Sequence, residues 1–322
     1  MNNEPTHKPS IRMGISSCIL GEEVRFNGGH KRDRYLTDVF GKYVEWVSVC
    51  PEVEVGMGIP RPTVRLVQIE DRLHMISQKG KDYTEQMNRF TNTRTEVLAS
   101  ENLSGYILKS GSPSCGMERV RFYDADGVPR GRGGGLFAIG LMAKFPHLPI
   151  EDEGRLKDAR IRENFVSRVF AYHRWMKLAE TGLTRSGLVA FHQAHKYVLM
   201  AHNQEGARRL GRLVAQPQKH GPIEQLADAY FGEFMTVMKR TPSRRSHTNV
   251  LQHMAGYVSK LIDTADRNEL TYMIDQYRTD RLPLIAPMIM LRHHVRKLDV
   301  AYLKDQVYLD PHPDELMLLN QL

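Results

Sequence analysis

The chain has three cysteines, Cys18, Cys50 and Cys115, separated by 32 and 65 residues. In a reducing compartment thiols are kept reduced rather than paired as structural disulfides, and an odd number leaves at least one thiol unpaired. They are therefore buried structural side chains, a nucleophile or metal ligands. Iron–sulfur clusters usually have four thiolate ligands. Three thiolates would leave one iron of a cubane open, although three thiolates also suit zinc.

Each cysteine lies just past the C-terminal end of a predicted β-strand, Cys115 within the turn-rich segment Lys109–Gly116. The segment Asp82–Ser100 reads as a helix between the second and third strands, and strands that alternate with helices predict a mainly parallel sheet. Ligands of such sheets bind beyond the C-terminal ends of the strands, so we expect the cysteines to converge there. The glycine-rich segment Gly131–Gly135 either lets the backbone approach a ligand closely or is a flexible surface loop. The predicted strands are Ile11–Ser16, Val44–Val49 and Gly105–Leu108.

The second half of the chain has helical periodicity throughout. A long amphipathic helix over Arg155–Glu180 closes the first domain, and the breaker Thr181–Ser186 follows it. We therefore predict an α/β N-terminal domain over residues 1–180 and an all-α C-terminal domain over residues 181–322. The candidate helices are Gly187–Asn203, Gln204–Val214, Ile223–Lys239, His247–Ile262, Arg267–Thr279 and Pro283–Arg296.

Composition indicates a globular protein outside the membrane. Hydrophobic residues make up 41% and charged residues 25% of the 322 residues. Met1–Ser10 lacks the pattern of a signal peptide, and no apolar run approaches the roughly 18 residues of a membrane-spanning helix. We expect a cytoplasmic protein without a membrane partner.

Positive charge is concentrated in the second half. Residues 1–150 contain 20 Lys/Arg and 17 Asp/Glu, a net charge of +3, whereas residues 185–300 contain 17 and 10, a net charge of +7. A basic surplus attracts phosphate backbones. The candidate phosphate contacts are Arg212 and a basic segment that comprises Lys239, Arg240, Arg244, Arg245 and His247.

Three separated motifs resemble those of the thiouracil desulfidase family, and they span roughly residues 10–150. The first runs from Ser16 to Gly29 and includes Arg25 and Asn27, and the second runs from Cys50 to Pro62. The third includes Leu108–Ser110 and Ser112–Gly116. The resemblance implies a 4Fe–4S cluster on Cys18, Cys50 and Cys115 with one open iron, and Glu52 as the acid–base residue.

The residues beside the cysteines add further candidates. Ser112 is positioned to hydrogen-bond the substrate or relay a proton, or else is a turn residue before Pro113. Ser17 and Ser114 adjoin cluster ligands and would donate to cluster sulfurs. Arg25, Asn27 and Arg61 would bind a substrate phosphate or base edge, or are solvated surface residues. The alternative to an acid–base role for Glu52 is that its carboxylate caps the start of a helix after Pro51.

The second half resembles a helical accessory domain that occurs fused to the desulfidase domain. The segments that carry this resemblance are Leu210–Val214, Ser246–Leu251 and Pro283–Ile285 with His293–His294. The fused form resembles bacterial enzymes that convert 4-thiouridine in tRNA to uridine. This resemblance implies net hydrolysis of the C=S bond, tRNA as partner, and a base flipped into the cluster crevice. The alternatives are a desulfidase of free thiouracil or thionucleosides, and a redox-sensing cluster protein that binds nucleic acid.

Overall fold

The structure is a computed structural model that describes residues 11–216 and 221–320. Met1–Ser10, where we expected no signal peptide, lies outside the described residues. Backbone contacts divide the chain between Lys157 and Asp158 into two compact units. Within the described ranges, no helix combines the length and the apolar character needed to cross a bilayer.

The first unit is an α/β structure with two sheets, which confirms the predicted class. Strands β1, β2, β5 and β8 form one sheet in the order β2–β1–β5–β8, and all its pairs are parallel. The described strands are β1 (Ile11–Ser16), β2 (Val44–Val49), β3 (Val64–Ile69), β4 (Arg72–Ser77), β5 (Leu103–Leu108), β6 (Val120–Tyr123), β7 (Pro129–Gly133) and β8 (Ile150–Asp152). The α-helices of the first unit are α1 (Ser17–Leu20), α2 (Pro51–Glu54), α3 (Thr84–Ala99) and α4 (Leu136–Lys144).

The central strands β1 and β5 are almost wholly buried, which is typical of a parallel sheet covered on both faces. Tyr106 on β5 packs directly against Gly14 on β1, and a Cβ at Gly14 would lie 2.0 Å from the tyrosine ring. A glycine is therefore required at position 14, and it allows the aromatic ring to lie flat against the strand that leads to Cys18.

The second sheet was not predicted. It has the order β4–β3–β6–β7, with antiparallel outer pairs and a parallel central pair. At most two residues of each of its strands are buried, so the sequence marks them less clearly than the almost wholly buried β1 and β5. Part of the glycine-rich segment forms strand β7, and the rest leads into α4.

The second unit is helical, as predicted. Its described helices are α5 (Ala159–Glu180), α6 (Arg185–His202), α7 (Gln204–Ala215), α8 (Ile223–Lys239), α9 (Arg244–Val258), α10 (Thr264–Arg278), α11 (Ile285–Lys297) and α12 (Ala301–Lys304). Trp175 of α5 packs in the same core as Phe191 of α6 and Tyr230 of α8. Helix α5 is therefore part of the second unit, and the units divide before this helix rather than at the predicted boundary of 180/181.

Candidate active site

The three cysteines lie around one cavity beyond the C-terminal ends of adjacent parallel strands. Cys18 follows β1, Cys50 follows β2 and Cys115 lies in the loop after β5. The cavity has a volume of about 250 Å³, and all three cysteines line it. The convergence expected from the strand ends is therefore present, although 32 and 65 residues separate the cysteines in the chain.

The three thiols are buried or half-buried. Burial raises the pKa of Cys18 to about 11 and also raises the pKa values of Cys50 and Cys115. Charge on Cys50 raises the pKa of both other thiols, so the three sulfur atoms lie within electrostatic range of one another. Buried thiols of this kind keep their protons at neutral pH unless a metal displaces them.

The chemistry of these donors fits an iron–sulfur cluster. All three cysteines line one cavity of about 250 Å³. Thiolates are the ligands that iron–sulfur clusters prefer. Lys109 and Arg25 lower the pKa of Cys18 by their charge, and they would favour an anionic thiolate-bound cluster.

Glu52 lines the same cavity and is held at both carboxylate oxygens. Arg61 donates to Oε2 from Nε at 2.9 Å and from Nη2 at 2.7 Å. Ser114 Oγ donates to Oε1 at 2.6 Å, and Ser112 Oγ lies 3.3 Å from the same oxygen. Glu52 does not cap helix α2. Its neighbour Glu54 accepts a hydrogen bond of 3.0 Å from the Cys50 N–H at the helix start.

The serines flank the cysteines as expected and differ in their contacts. Ser112 Oγ accepts hydrogen bonds from the backbone N–H groups of Ser114, at 3.3 Å, and Cys115, at 3.2 Å. It therefore shapes the Cys115 loop as well as facing Glu52, so it combines the turn role and the site position considered above. Ser114 is fully buried. Ser17 lines the cavity next to Cys18.

The three residues predicted to bind substrate occupy different positions. Arg25 is half-buried and lines the cavity. Arg61 also lines it, but the residue is only 8% exposed, and its guanidinium donates to Glu52 and to the carbonyls of Val24 and Gly58. Arg61 therefore positions Glu52. Asn27 is exposed, and its Oδ1 accepts from the Gly29 N–H within a turn.

Sequence reasoning assigned no role to two further lining residues, Lys109 and Phe26, or to Glu153, which contacts one of them. Lys109 lines the cavity and forms an ion pair with Glu153. Glu153 also accepts hydrogen bonds from Ser110 N at 2.7 Å and from Ser110 Oγ at 2.8 Å. Phe26, 37% exposed, contributes an aromatic ring to the lining. Lys109 and Phe26 lie inside the motifs that resemble the thiouracil desulfidase family, so their positions could have marked them as site residues. Glu153 lies outside those motifs, and nothing in the sequence marked it.

The glycine-rich segment supports the Cys115 loop by close backbone contact. A Cβ at Gly135 would lie 2.5 Å from the backbone of Ser114, and the Gly135 N–H donates to the Gly116 carbonyl at 2.7 Å. Gly135 therefore makes a close backbone approach, one of the two possibilities considered for this segment. The backbone that it approaches belongs to the Cys115 loop.

The basic residues of the helical unit fall into two groups. Arg212, Lys239, Arg240 and Arg245 are exposed. Arg244 is instead tied down by an ion pair of 2.5 Å to Asp280 and by a hydrogen bond to the Tyr277 carbonyl. His247 lies 2.8 Å from the Tyr308 hydroxyl, and burial lowers its pKa to about 3, so it is neutral at physiological pH.

Comparison with known proteins agrees with this division of the chain. The family model of 2-thiouracil desulfurase matches residues 13–153, and the model of protein of unknown function DUF1722 matches residues 196–313. The uncharacterized protein YbgA of Escherichia coli K12 is 33% identical over 154 residues, which are 48% of this chain and 91% of YbgA. The uncharacterized protein YbbK of Bacillus subtilis 168 is 33% identical over 109 residues, 32% of this chain and 71% of YbbK.

One solved structure is also similar. The 4Fe-4S-dependent thiouracil desulfidase TudS is 25% identical, with a TM-score of 0.37, and the match covers 46% of this chain and 94% of TudS. The chain therefore belongs to the families of YbgA and YbbK, and it joins a 2-thiouracil desulfurase domain to a DUF1722 domain.

Proposed function

We propose that this protein is an iron–sulfur-dependent desulfidase that converts 4-thiouridine in tRNA to uridine. The observation that carries the proposal is the single cavity that brings three cysteines together with a fixed carboxylate, in a domain of the 2-thiouracil desulfurase family. Cys18, Cys50 and Cys115 would hold a 4Fe–4S cluster by three irons. When bound, the cluster would supply a Lewis-acidic iron that polarises the thiocarbonyl sulfur.

Glu52 is the acid–base residue of the proposal. Water adds to the ring carbon of the thiocarbonyl, the C–S bond breaks, and hydrogen sulfide leaves, so one water is consumed and no electrons are transferred. Glu52 would take a proton from the attacking water and return it to the substrate. Arg61 and Ser114 hold the carboxylate in one orientation for this task.

The substrate base would lie between Phe26 and the thiols. Phe26 lines the cavity, is 37% exposed and offers a ring face for stacking. The Cζ atom of Arg25 lies 5.7 Å from the centre of that ring. Stacking on an aromatic side chain together with a nearby guanidinium is a common way to hold an unstacked base. Asn27, exposed in the adjacent turn, would contact the nucleotide backbone.

The helical unit would bind the tRNA backbone. The exposed charges of Arg212, Lys239, Arg240 and Arg245 support this part of the proposal. Contacts of this kind set affinity and position, and they carry no base specificity. Arg244 and His247 are less suited, because the first is ion-paired and the second is neutral.

A free thiobase is the second candidate substrate. The cavity of about 250 Å³ is large enough for a small ring, and the family description names 2-thiouracil. With this substrate the helical unit would have a different role.

The experiment begins with protein purified without oxygen, whose iron and acid-labile sulfide are quantified. The protein is then incubated with bulk tRNA, and the near-ultraviolet absorbance of 4-thiouridine and the release of sulfide are followed. tRNA from cells that do not make 4-thiouridine is the control. Loss of absorbance with stoichiometric sulfide supports the tRNA substrate. Turnover of free 2- or 4-thiouracil alone would overturn it, and a cluster without turnover of any thiolated base would favour redox sensing.

A further inference from the structure

The helical unit encloses a second cavity, of about 210 Å³, that the proposed desulfidase chemistry does not use. Helices α5, α6 and α9 and the segment after α12 line it. Its walls combine apolar side chains, among them Val198, Leu284 and Met288, with polar groups that lack the usual partners. The volume lies below the roughly 300–1,000 Å³ of sites for drug-sized ligands, so it suits a smaller molecule.

Arg174 supplies a positive charge to this cavity. Its Nη2 donates to the backbone carbonyls of Pro311, at 2.6 Å, and Asp310, at 3.4 Å. Within residues 11–216 and 221–320, no carboxylate forms an ion pair with it. Burial lowers the pKa of Arg174 to about 10. Arg174 is half-buried, and the charge of Asp310 offsets only part of its desolvation. An anionic ligand would offset more of that cost.

His195 supplies a hydrogen-bond acceptor to the same cavity. The ring is 2% exposed, and its Nδ1–H donates to the Phe191 carbonyl at 2.8 Å. This bond defines the tautomer, so Nε2 is an acceptor, and Nε2 has no hydrogen-bond partner in the described structure. Burial lowers the pKa of His195, and the charge of Arg174 lowers it further, so both line the cavity within electrostatic range of each other.

The charge balance of the cavity favours a singly charged ligand. Glu163 also lines the cavity, and in the described part of the chain it forms neither a hydrogen bond nor an ion pair. Burial raises the pKa of Glu163 to about 7. Two other arginines line the cavity, but Arg244 is paired with Asp280 and the charge of Arg160 acts on Glu163. A dianionic phosphate would therefore face the Glu163 carboxyl with Arg174 as its available counter-charge. A carboxylate matches the guanidinium fork with one charge.

We propose that this cavity binds a small hydroxycarboxylic acid whose carboxylate pairs with Arg174 and whose hydroxyl donates to Nε2 of His195. The apolar body of the ligand packs against Val198, Leu284 and Met288. The carboxylate gives Arg174 an ion-pair partner, and the hydroxyl satisfies the buried, unpartnered Nε2 of His195. The inference does not depend on the cluster or on tRNA.

The test uses the full chain with its cluster and isothermal titration calorimetry with 3-hydroxybenzoate. We expect saturable binding that is weakened about tenfold or more in two analogues, because each lost charge-assisted or buried hydrogen bond is worth about 1.4 kcal/mol or more. The analogues are 3-hydroxybenzamide, which lacks the charge, and benzoate, which lacks the hydroxyl donor. Inorganic phosphate should not compete.

Variants locate the site. Arg174→Gln should weaken binding of 3-hydroxybenzoate about tenfold or more, whereas Lys177→Gln, which removes an exposed charge from the same helix, should not change it. His195→Phe should abolish the preference for 3-hydroxybenzoate over benzoate. Ser167→Leu, which adds volume at the cavity wall, should block binding if Arg174→Gln does not fold.

The proposal is overturned if 3-hydroxybenzoate does not bind saturably, if the benzamide binds equally well, or if the Arg174 and Lys177 variants behave alike. Desulfidase turnover is measured on the same samples. Failure of the proposed desulfidase function would leave the calorimetric result standing, and failure of ligand binding would leave turnover unaffected, so the two outcomes are separable.

Discussion

Ser114 donates a hydrogen bond of 2.6 Å to Glu52, although 62 residues separate them in the chain. Ser114 directly precedes Cys115, and Glu52 lies two residues after Cys50. This one bond therefore joins two cysteine loops from different strand ends. Arg61 holds the other carboxylate oxygen, so the orientation of Glu52 is coupled to the position of two of the three thiols.

Glu52→Gln should retain iron and lose turnover. The amide keeps an oxygen that can accept from Ser114, so the cysteine loops remain joined, but it can no longer take up a proton. General acid–base groups contribute about 10²- to 10⁴-fold to rate, and we expect a loss of turnover in that range. The measurements are iron content and sulfide release from thiolated substrate. Glu45→Gln, at an exposed position of β2, is the matched control. Loss of iron in Glu52→Gln would assign Glu52 a structural role instead.

Gly135→Ala should destabilise the Cys115 loop. The added Cβ would lie 2.5 Å from backbone atoms of Ser114, and backbone cannot move aside as a flexible side chain can. Overpacking of this kind costs about 1–3 kcal/mol. We expect a lower unfolding midpoint and faster loss of iron to a chelator.

Gly133→Ala is the control for that substitution. Its Cβ would meet only the Phe122 ring, at 3.7 Å, which is an ordinary contact. Equal iron retention by the two variants would show that the close approach of Gly135 to Ser114 does not support the cysteine loop.

The sequence was sufficient to place the cysteines because each lies past the end of a segment with strand propensity. Strands β1 and β2 have the predicted bounds, and β5 begins two residues earlier than predicted, at Leu103. Since parallel strands share one direction, their ends meet at one edge, and that rule brought Cys18, Cys50 and Cys115 together. The second sheet was missed because its strands are mostly exposed or half-buried and carry charged and glycine residues.

Side-chain partners could not be predicted from the sequence. Arg61 resembled a free substrate-binding cation, and only the fold reveals that Glu52 and two carbonyls occupy its guanidinium. Helix α9 begins at Arg244, three residues before its predicted start at His247, because Ser243 caps it through a capping box with Ser246. Such choices depend on atoms that lie close in space, and residue types alone do not specify them.

Arg245→Glu should weaken tRNA binding and flatten its salt dependence. Arg245 is exposed next to Arg240, so reversing its charge removes one phosphate contact and adds a repulsion. Loss of one contact lowers the slope of log affinity against log salt by about 1. The measurement is tRNA affinity by filter binding over a range of salt concentrations. Lys260→Glu, an equal charge change at another exposed site of the helical unit, is the control. Equal effects of both variants would indicate a response to net charge only.

Mild acid should destabilise the helical unit through its buried histidines. Burial lowers the pKa values of His195 and His247 to about 3 and that of His202 to about 4. Their unfolded pKa is near 6.5, so below that pH the unfolded chain binds more protons than the folded chain, and stability falls as pH falls. Between pH 7 and 5 each histidine costs about 2 kcal/mol. Glu163, whose pKa is raised to about 7, takes up its proton in the folded state and offsets about 2 kcal/mol of that loss.

Thermal unfolding of the full chain, followed by the helical circular dichroism signal at pH 7, 6 and 5, measures this loss. His202→Gln should reduce the decrease in stability between pH 7 and 5 by about 2 kcal/mol, because one buried group no longer titrates on unfolding. Glu163→Gln should increase the decrease by a similar amount, because the offsetting proton uptake is removed. His253→Gln, at an exposed position of α9, should leave the pH dependence unchanged. Parallel pH profiles for the His202 and His253 variants would mean that the buried imidazole of His202 is not the group that couples folding to pH.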